Sequence, residues 1–198
     1  MAFETVKKNL EARGFSVRVF ATGAEAAEYL NSVIDGTSVG IGGSATIRDI
    51  GAYEMLKAHN DVYWHWKEEN MDEARKNAMT AEVYLSSANA MAETGEIVNI
   101  DGMGNRLAST LFGHKRLYYV VGRNKVVATY EDAVWRARNV AAPKRAQQMN
   151  KKTPCAVNAD RCYNCLSPER VCRGMTTIWG PMMAQAAEVL LIDEDLGL

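Results

Sequence analysis

Four cysteines, Cys155, Cys162, Cys165 and Cys172, fall within eighteen residues in the order C-x6-C-x2-C-x6-C, and the preceding 154 positions contain none. Soft thiolate ligands grouped on one short loop suit a tetrahedral Zn²⁺ site or an iron–sulfur cluster. The two-residue gap of Cys162-Tyr-Asn-Cys165 is that of a metal knuckle, in which backbone N–H groups turn toward the sulfurs. Pro154, Pro168 and Gly174 punctuate the six-residue arms and let the outer cysteines fold back. Free thiols or two disulfides are the plainer alternatives, and disulfides suit an oxidising compartment that nothing else in the chain suggests. The expectation is one metal centre held by all four cysteines within the loop 153–175, with Zn²⁺ ahead of a [4Fe–4S] cluster.

Three further loops combine glycine with polar side chains. In Gly40-Ile-Gly42-Gly43-Ser44-Ala-Thr46 the glycines let backbone N–H groups approach a ligand and the hydroxyls add donors. The helix expected to follow would favour an anion at its N-terminus. The run is neither a Walker A loop nor a G-x-G-x-x-G fingerprint, and a tight turn capped by Ser44 or Thr46 accounts for it equally well. Asn99-Ile-Asp101-Gly102-Met-Gly104-Asn105-Arg106 gathers a carboxylate, two amides and a guanidinium among glycines, more polar groups than a turn needs. Gly122-Arg123-Asn124-Lys125 directly follows an apolar run, where a solvated turn competes with a ligand site.

The elements that must position these loops alternate between helix and strand. Phe3, Val6 and Leu10 share a helical face that Gly14 ends. Phe15–Phe20 alternates as a strand, and Thr22 caps a helix to about Ile34. Ser38–Ile41 is a short apolar strand, Thr46–His59 a helix, Val62–Trp66 a strand, 72–79 a helix and Val83–Ser86 a strand. Thr94-Gly95 marks a turn before a strand over Glu96–Ile100. Asn105–Phe112 reads as helix, and Leu117–Val121 as a strand of the buried parallel type. Glu131 to about Met149 is helical with a bend at Pro143, and Glu188–Ile192 offers a closing strand. The fold class is therefore α/β, an open, mostly parallel sheet flanked by helices, with a cysteine-rich loop near the C-terminus. In such a sheet, crevices beyond the carboxyl ends of the strands bind ligands, and the three polar loops fall there.

Length and composition fit one domain over 1–198 with a sizeable core. Apolar content of 47% and charged content of 24% are ordinary for a globular chain, and a net charge of −1 supplies no field for nucleic acid or an anionic membrane. The chain shows neither a signal peptide nor an apolar run near the ~20 residues of a membrane span. A cytoplasmic protein is expected. His59, His65 and His114 stand alone in the sequence and read as surface or core residues. Trp64 and Trp66 fall on one strand face, packing a helix or a subunit interface of a homo-oligomer. No G-x-S-x-G elbow supports hydrolase chemistry.

Gly42-Gly43-Ser44, Asn89-Ala90, GEIVNIDGMGNRLASTLFG from Gly95 to Gly113, VVGRNKVV from Val120 to Val127, the four cysteines and the terminal EDLGL together resemble the lactate-utilisation (LUD) domain family, in the group that contains LutC and YkgG. The likeness covers nearly the whole chain from about Thr37. It implies the open α/β fold of the ribose-phosphate isomerase and CoA-transferase-like (NagB/RpiA) superfamily. It also implies association with oxidation of L-lactate to pyruvate beside iron–sulfur partner proteins. More distantly, Ser87-Ala-Asn89-Ala-Met91 with Gly95–Gly102 is similar to a motif of methylthioribose-phosphate isomerases. Here Asn89 replaces the family's proton-transferring Asp and Ile100 its Lys. Glu93-Thr94-Gly95 has the outline of a CoA-transferase nucleophile before glycine.

The expected function is a small-molecule-binding component of L-lactate utilisation, taking an organic acid or a phosphorylated ligand and acting with redox partners. Its ligand contacts are Gly42, Gly43, Ser44, Thr46, Asn89, Asp101, Gly102, Gly104, Asn105, Gly122, Asn124 and Lys125. An isomerase- or CoA-transferase-like enzyme is the alternative, with Glu93 and Asp101 as its candidate carboxylates. A further alternative is an iron–sulfur electron-transfer or redox-sensing module built on the cysteines.

Overall fold

The computed structural model describes residues 3–198, so Met1 and Ala2 of the expected domain lie outside the described residues. Among the described residues, ten strands form two sheets. The larger contains β1 (Ser16–Phe20), β2 (Ser38–Ile41), β3 (Asp61–Trp64), β4 (Val83–Ser86), β7 (Arg116–Gly122) and β10 (Ala186–Ile192). Its order is β1-β10-β7-β4-β2-β3 and every pairing is parallel. Helices α1 (Glu4–Ala12), α2 (Gly23–Val33), α3 (Ala45–Asp49), α4 (Ala52–Lys57), α5 (Met71–Thr80) and α6 (Asn105–Leu111) lie before and between these strands in the chain.

Both faces of the large sheet are buried along its inner strands β2, β4, β7 and β10, which is why these read as near-continuous apolar runs, whereas the edge strand β1 is largely exposed. Along β10, Leu190 and Ile192 join one core with Ile41, Ile47 and Trp64. Val189 and Leu191 join the opposite core with Leu10, Tyr84 and Tyr119. The expected closing strand thus lies mid-sheet, between β1 and β7.

Local chemistry fixes the breaks. Thr22 and Glu25 form a reciprocal capping box that starts α2. The single helix expected over Thr46–His59 is instead α3 and α4, divided at Gly51, whose φ of +71° is a left-handed conformation. Strand β3 ends at Trp64 rather than Trp66, because Lys67 N donates to Trp64 O at 2.8 Å in a turn. The Trp64 and Trp66 rings then stack at 5.3 Å.

The smaller sheet was not expected. It comprises β5 (Ala90–Ala92), β6 (Ile97–Asp101), β8 (Val126–Val127) and β9 (Gly174–Ile178) in the order β8-β5-β6-β9. Strands β5 and β8 continue the chain just beyond β4 and β7, so this sheet grows from the carboxyl end of the larger one. Helix α7 (Tyr130–Arg136), a π-helical stretch (Ala137–Ala141) and α8 (Ala142–Gln148) cover it with an alanine face. Pro143 lies in the first turn of α8, and its missing N–H is absorbed by the widened register just before it. A five-residue helix, α9 (Pro154–Asn158), opens the cysteine segment.

Candidate functional site

Three neighbouring strands, β2, β4 and β7, deliver their carboxyl ends to one place, and a lysine joins them. Lys125 Nζ donates to Thr46 Oγ1 at 2.6 Å and to Ser87 Oγ at 3.0 Å. Thr46 follows β2, Ser87 follows β4 and Lys125 follows β7. Lys125 is buried, with 4% exposure, and its partners are neutral hydroxyls. Burial, followed by the Arg136 and Arg106 charges, pushes its ammonium down to about 7.

Asn89 carries the next layer. Its side-chain oxygen accepts from Ile100 N at 2.7 Å and from Arg106 Nη2 at 3.3 Å, and its backbone oxygen accepts from Arg136 Nη1. Asn99 Oδ1 in turn receives Asn89 N at 3.1 Å. Arg136 is further held by Nε donating to Asn124 O at 2.9 Å. Burial lowers the Arg136 guanidinium, and burial with Arg106 and Arg48 lowers that of Arg145. Arg145 lies over the Trp66 ring at 4.9 Å. A Cβ on Gly43 would stand 3.4 Å from Trp66 and 3.7 Å from His65, and one on Gly42 would stand 3.6 Å from Arg106. At Gly42 the tighter limit is the Tyr84 hydroxyl, 2.8 Å from where a Cβ would be, and its backbone N–H and C=O are bonded to Leu85 O and Trp64 Nε1.

Four cations gather here: Lys125, Arg106, Arg136 and Arg145. Among the described residues, no ion pair joins any of them to an Asp or Glu carboxylate, although Arg136 Nη1 also donates to Leu198 O at 3.3 Å. His65 sits beside them with Nδ1 buried and unpartnered. Burial, then Arg75 and Arg145, hold it down to about 4, so it is neutral at pH 7. An anion entering the crevice would meet basic donors that no Asp or Glu side chain pairs.

The other expected contacts are distributed unevenly. Ser44 is used as the cap of α3, accepting from Ile47 N at 3.2 Å. With only five residues, α3 is no longer the extended helix whose N-terminus was expected to favour an anion. Asp101 accepts from Gly102 N at 2.7 Å and Arg106 N at 3.1 Å, pinning the start of α6. Gly104, at φ +86°, is the turn before Asn105 opens that helix. Gly102 backs onto Val171 O, with no room for a Cβ. Glu93 is exposed at the opposite end of the β5–β6 hairpin, its backbone oxygen receiving Asn9 Nδ2 at 2.7 Å. It is not brought into the crevice.

Residues 194–197 cross the crevice as a strap. Asn124 Oδ1 receives Leu196 N at 3.1 Å, Asp49 Oδ2 receives Gly197 N at 3.0 Å, and Arg123 N donates to Glu194 O at 3.0 Å. Gly122 must lack a side chain because a Cβ would come within 2.8 Å of Leu196 N. Gly197, at φ +66°, leaves Lys125 Nζ only 3.1 Å from where its Cβ would be.

A model of the LUD domain matches residues 3–192. The chain belongs to the LUD domain family. The match takes in both sheets, the crevice and the cysteine segment. This LUD domain is also similar to the crystal structure of a DUF162 family protein from Deinococcus radiodurans, with a TM-score of 0.54. The two are 12% identical, and the alignment covers 97% of this chain and 99% of that one. At that identity the likeness bears on the fold, an α/β arrangement with a mostly parallel sheet flanked by helices. No curated protein matches the chain. Membership of the family points to a role connected with lactate utilisation. Among the described residues, no helix is long and apolar enough to cross a membrane.

Sequence reading missed Arg136, Arg145 and Ser87. The first two come from the helical stretch after β8, where basic residues are frequent and the pattern shows only an inner alanine face, Ala133, Ala137 and Ala141.

Proposed function

We propose that this LUD domain is the small-molecule-binding component of an L-lactate or related organic-acid oxidation system. Its ligand is anionic, an organic acid or a phosphorylated compound. It works in the cytoplasm with iron–sulfur redox partner proteins, on the open fold shared with ribose-phosphate isomerases and CoA transferases. The observation that carries the reading is the group of four basic side chains, none ion-paired to an Asp or Glu among the described residues, at the carboxyl ends of β2, β4 and β7.

Arg106 and Arg136 supply charged donors, Lys125 a buried amine, and Gly43 close approach of the backbone. A hydroxy acid or its oxo product presents a carboxylate to the arginines and a second oxygen to Lys125, Thr46 and Ser87. The strap 194–197 must give way at Gly197 for a ligand to reach Lys125. The isomerase and acyl-transfer readings draw less support. The Asp101 carboxylate is occupied by two backbone N–H groups, and Glu93 lies outside the crevice.

Thermal-shift and calorimetric screening against L-lactate, pyruvate, sugar phosphates, nucleotides and CoA esters tests the reading. Specific binding to the native state raises apparent stability with the logarithm of ligand excess. The expected result is a stabilising carboxylate or phosphate ligand whose effect disappears in Arg106→Gln and Arg136→Gln. Binding undiminished in both variants, or none among these ligands, overturns it.

A further inference from the structure

The cysteine segment takes no part in the crevice, and it has an order of its own to explain. From Ala159 to Arg173 the chain contains no helix or strand, and most of its residues are exposed. Leu166 is 92% exposed and Val157, in α9, is 70% exposed. So little apolar burial does not offset the entropy of fixing such a stretch. Yet its four thiols converge. Cys155 from α9, Cys162 and Cys165 from the irregular run, and Cys172 from just before β9 all line one cavity of about 10 Å³. The wall behind them is Ala142, Pro143 and Ala146 of α8.

The groups around the sulfurs are donors. Asn164, in a left-handed conformation at φ +47°, donates its backbone N–H to Cys162 Sγ at 3.3 Å. That is the turn of a metal knuckle. Arg170 Nη2 approaches Cys172 Sγ at 3.6 Å, and Arg138 Nη2 approaches Cys162 Sγ at 3.9 Å. The Thr153 hydroxyl lies 3.3 Å from Cys155 Sγ. All four cysteines are free. Two arginines directed at the cysteines place positive charge where metal-bound thiolates would carry negative charge.

We infer that Cys155, Cys162, Cys165 and Cys172 form a four-thiolate site for a single Zn²⁺ that fastens residues 153–173 against α8. Binding removes four protons: four thiols and one Zn²⁺ give a tetrathiolate complex of net charge −2, which Arg138 and Arg170 then balance. Among the described residues, no three ligand groups already stand in a metal-holding arrangement, so the thiol side chains turn inward as the ion binds.

Metal analysis and a visible spectrum of the full chain, purified without oxygen in reducing, chelator-free buffer, test the inference. One zinc per chain in a colourless protein is expected. Cys162→Ser and Cys165→Ser should each abolish stoichiometric zinc while the far-ultraviolet dichroism persists. Should either variant fail to fold, chelator extraction of the wild-type protein supplies the second measurement. It should expose four titratable thiols and accelerate amide exchange between Cys155 and Cys172, leaving β7 and β10 protected. Four thiols titratable before extraction, with no metal, overturn the site. Iron with acid-labile sulfide and a visible band overturn zinc in favour of a cluster.

Discussion

The large sheet and the cysteine segment are ordered by opposite means. Strand β10 is flanked by two strands and buried on both faces, so its conformation is fixed many times over. Residues 159–173 have no strand partner and almost no core, and four sulfurs and a few hydrogen bonds are what draw them together. The sheet holds the crevice by its own packing, whereas the segment needs something added to it. Damage to the first should therefore be global, and damage to the second local.

The largest effect expected is in the sheet. Leu190→Ala, at a fully buried position of β10, should lower the unfolding free energy by about 2–5 kcal/mol in denaturant titration. Leu166→Ala in the segment should stay within about 0.5 kcal/mol of wild type. Equal losses at the two positions would erase the distinction.

Next comes the crevice, where charge rather than packing is removed. Arg136→Gln should weaken binding of the carboxylate or phosphate ligand by roughly 10- to 100-fold, as for loss of a charged hydrogen bond. Zinc content should not change, and calorimetry beside metal analysis reads both. A parallel loss of metal would mean that the two regions are not separable.

The pH dependence sharpens the comparison further. Lys125 is depressed to about 7 in the fold, mainly by burial, and returns to about 10.4 on unfolding. Between those values the unfolded chain binds the extra proton, so stability rises with pH from about 7 to about 10. Below about 7 the cost of burying the cation is fully present. Lys125→Met should flatten that rise in thermal melts. A bound anion favours the ammonium form, so affinity should fall as pH rises above about 7, with proton uptake measurable in buffers of different ionisation enthalpy. The smallest effect belongs to Arg170→Gln. This half-buried charge should leave zinc stoichiometry unchanged and only quicken its loss to chelator.

Much of the large sheet was legible because its chemistry is local. Ser38–Ile41 ends at glycines, and Arg116–Gly122 is too apolar to be anything but a buried strand. The smaller sheet was not. Val126–Val127 is two residues long, and Gly174–Ile178 is half exposed, so neither has a period to read. Gly51 and the π-helical stretch broke helices whose apolar spacing continued across them. The glycine loops of the crevice were visible as loops. What they hold was not, because the hydroxyl pair on Lys125 and the arginines on Asn89 meet only across strands far apart in sequence. The four cysteines belong to one short segment, and all four line one cavity.

The position of β10 has a consequence for how the molecule is made. Strand β1 has β10 as its one sheet neighbour, and the Arg18–Glu188 contact between them joins residues 170 positions apart. On a ribosome, the first strand must wait for nearly the whole chain before it has a partner. Helices α1 and α2 meanwhile have no finished face to pack on. Long loop closures of this kind slow folding and expose unpaired edges along the way. A nascent chain stalled before Ala186 would present β1 and β7 as open edges, the state in which a chaperone or a second copy could most readily bind.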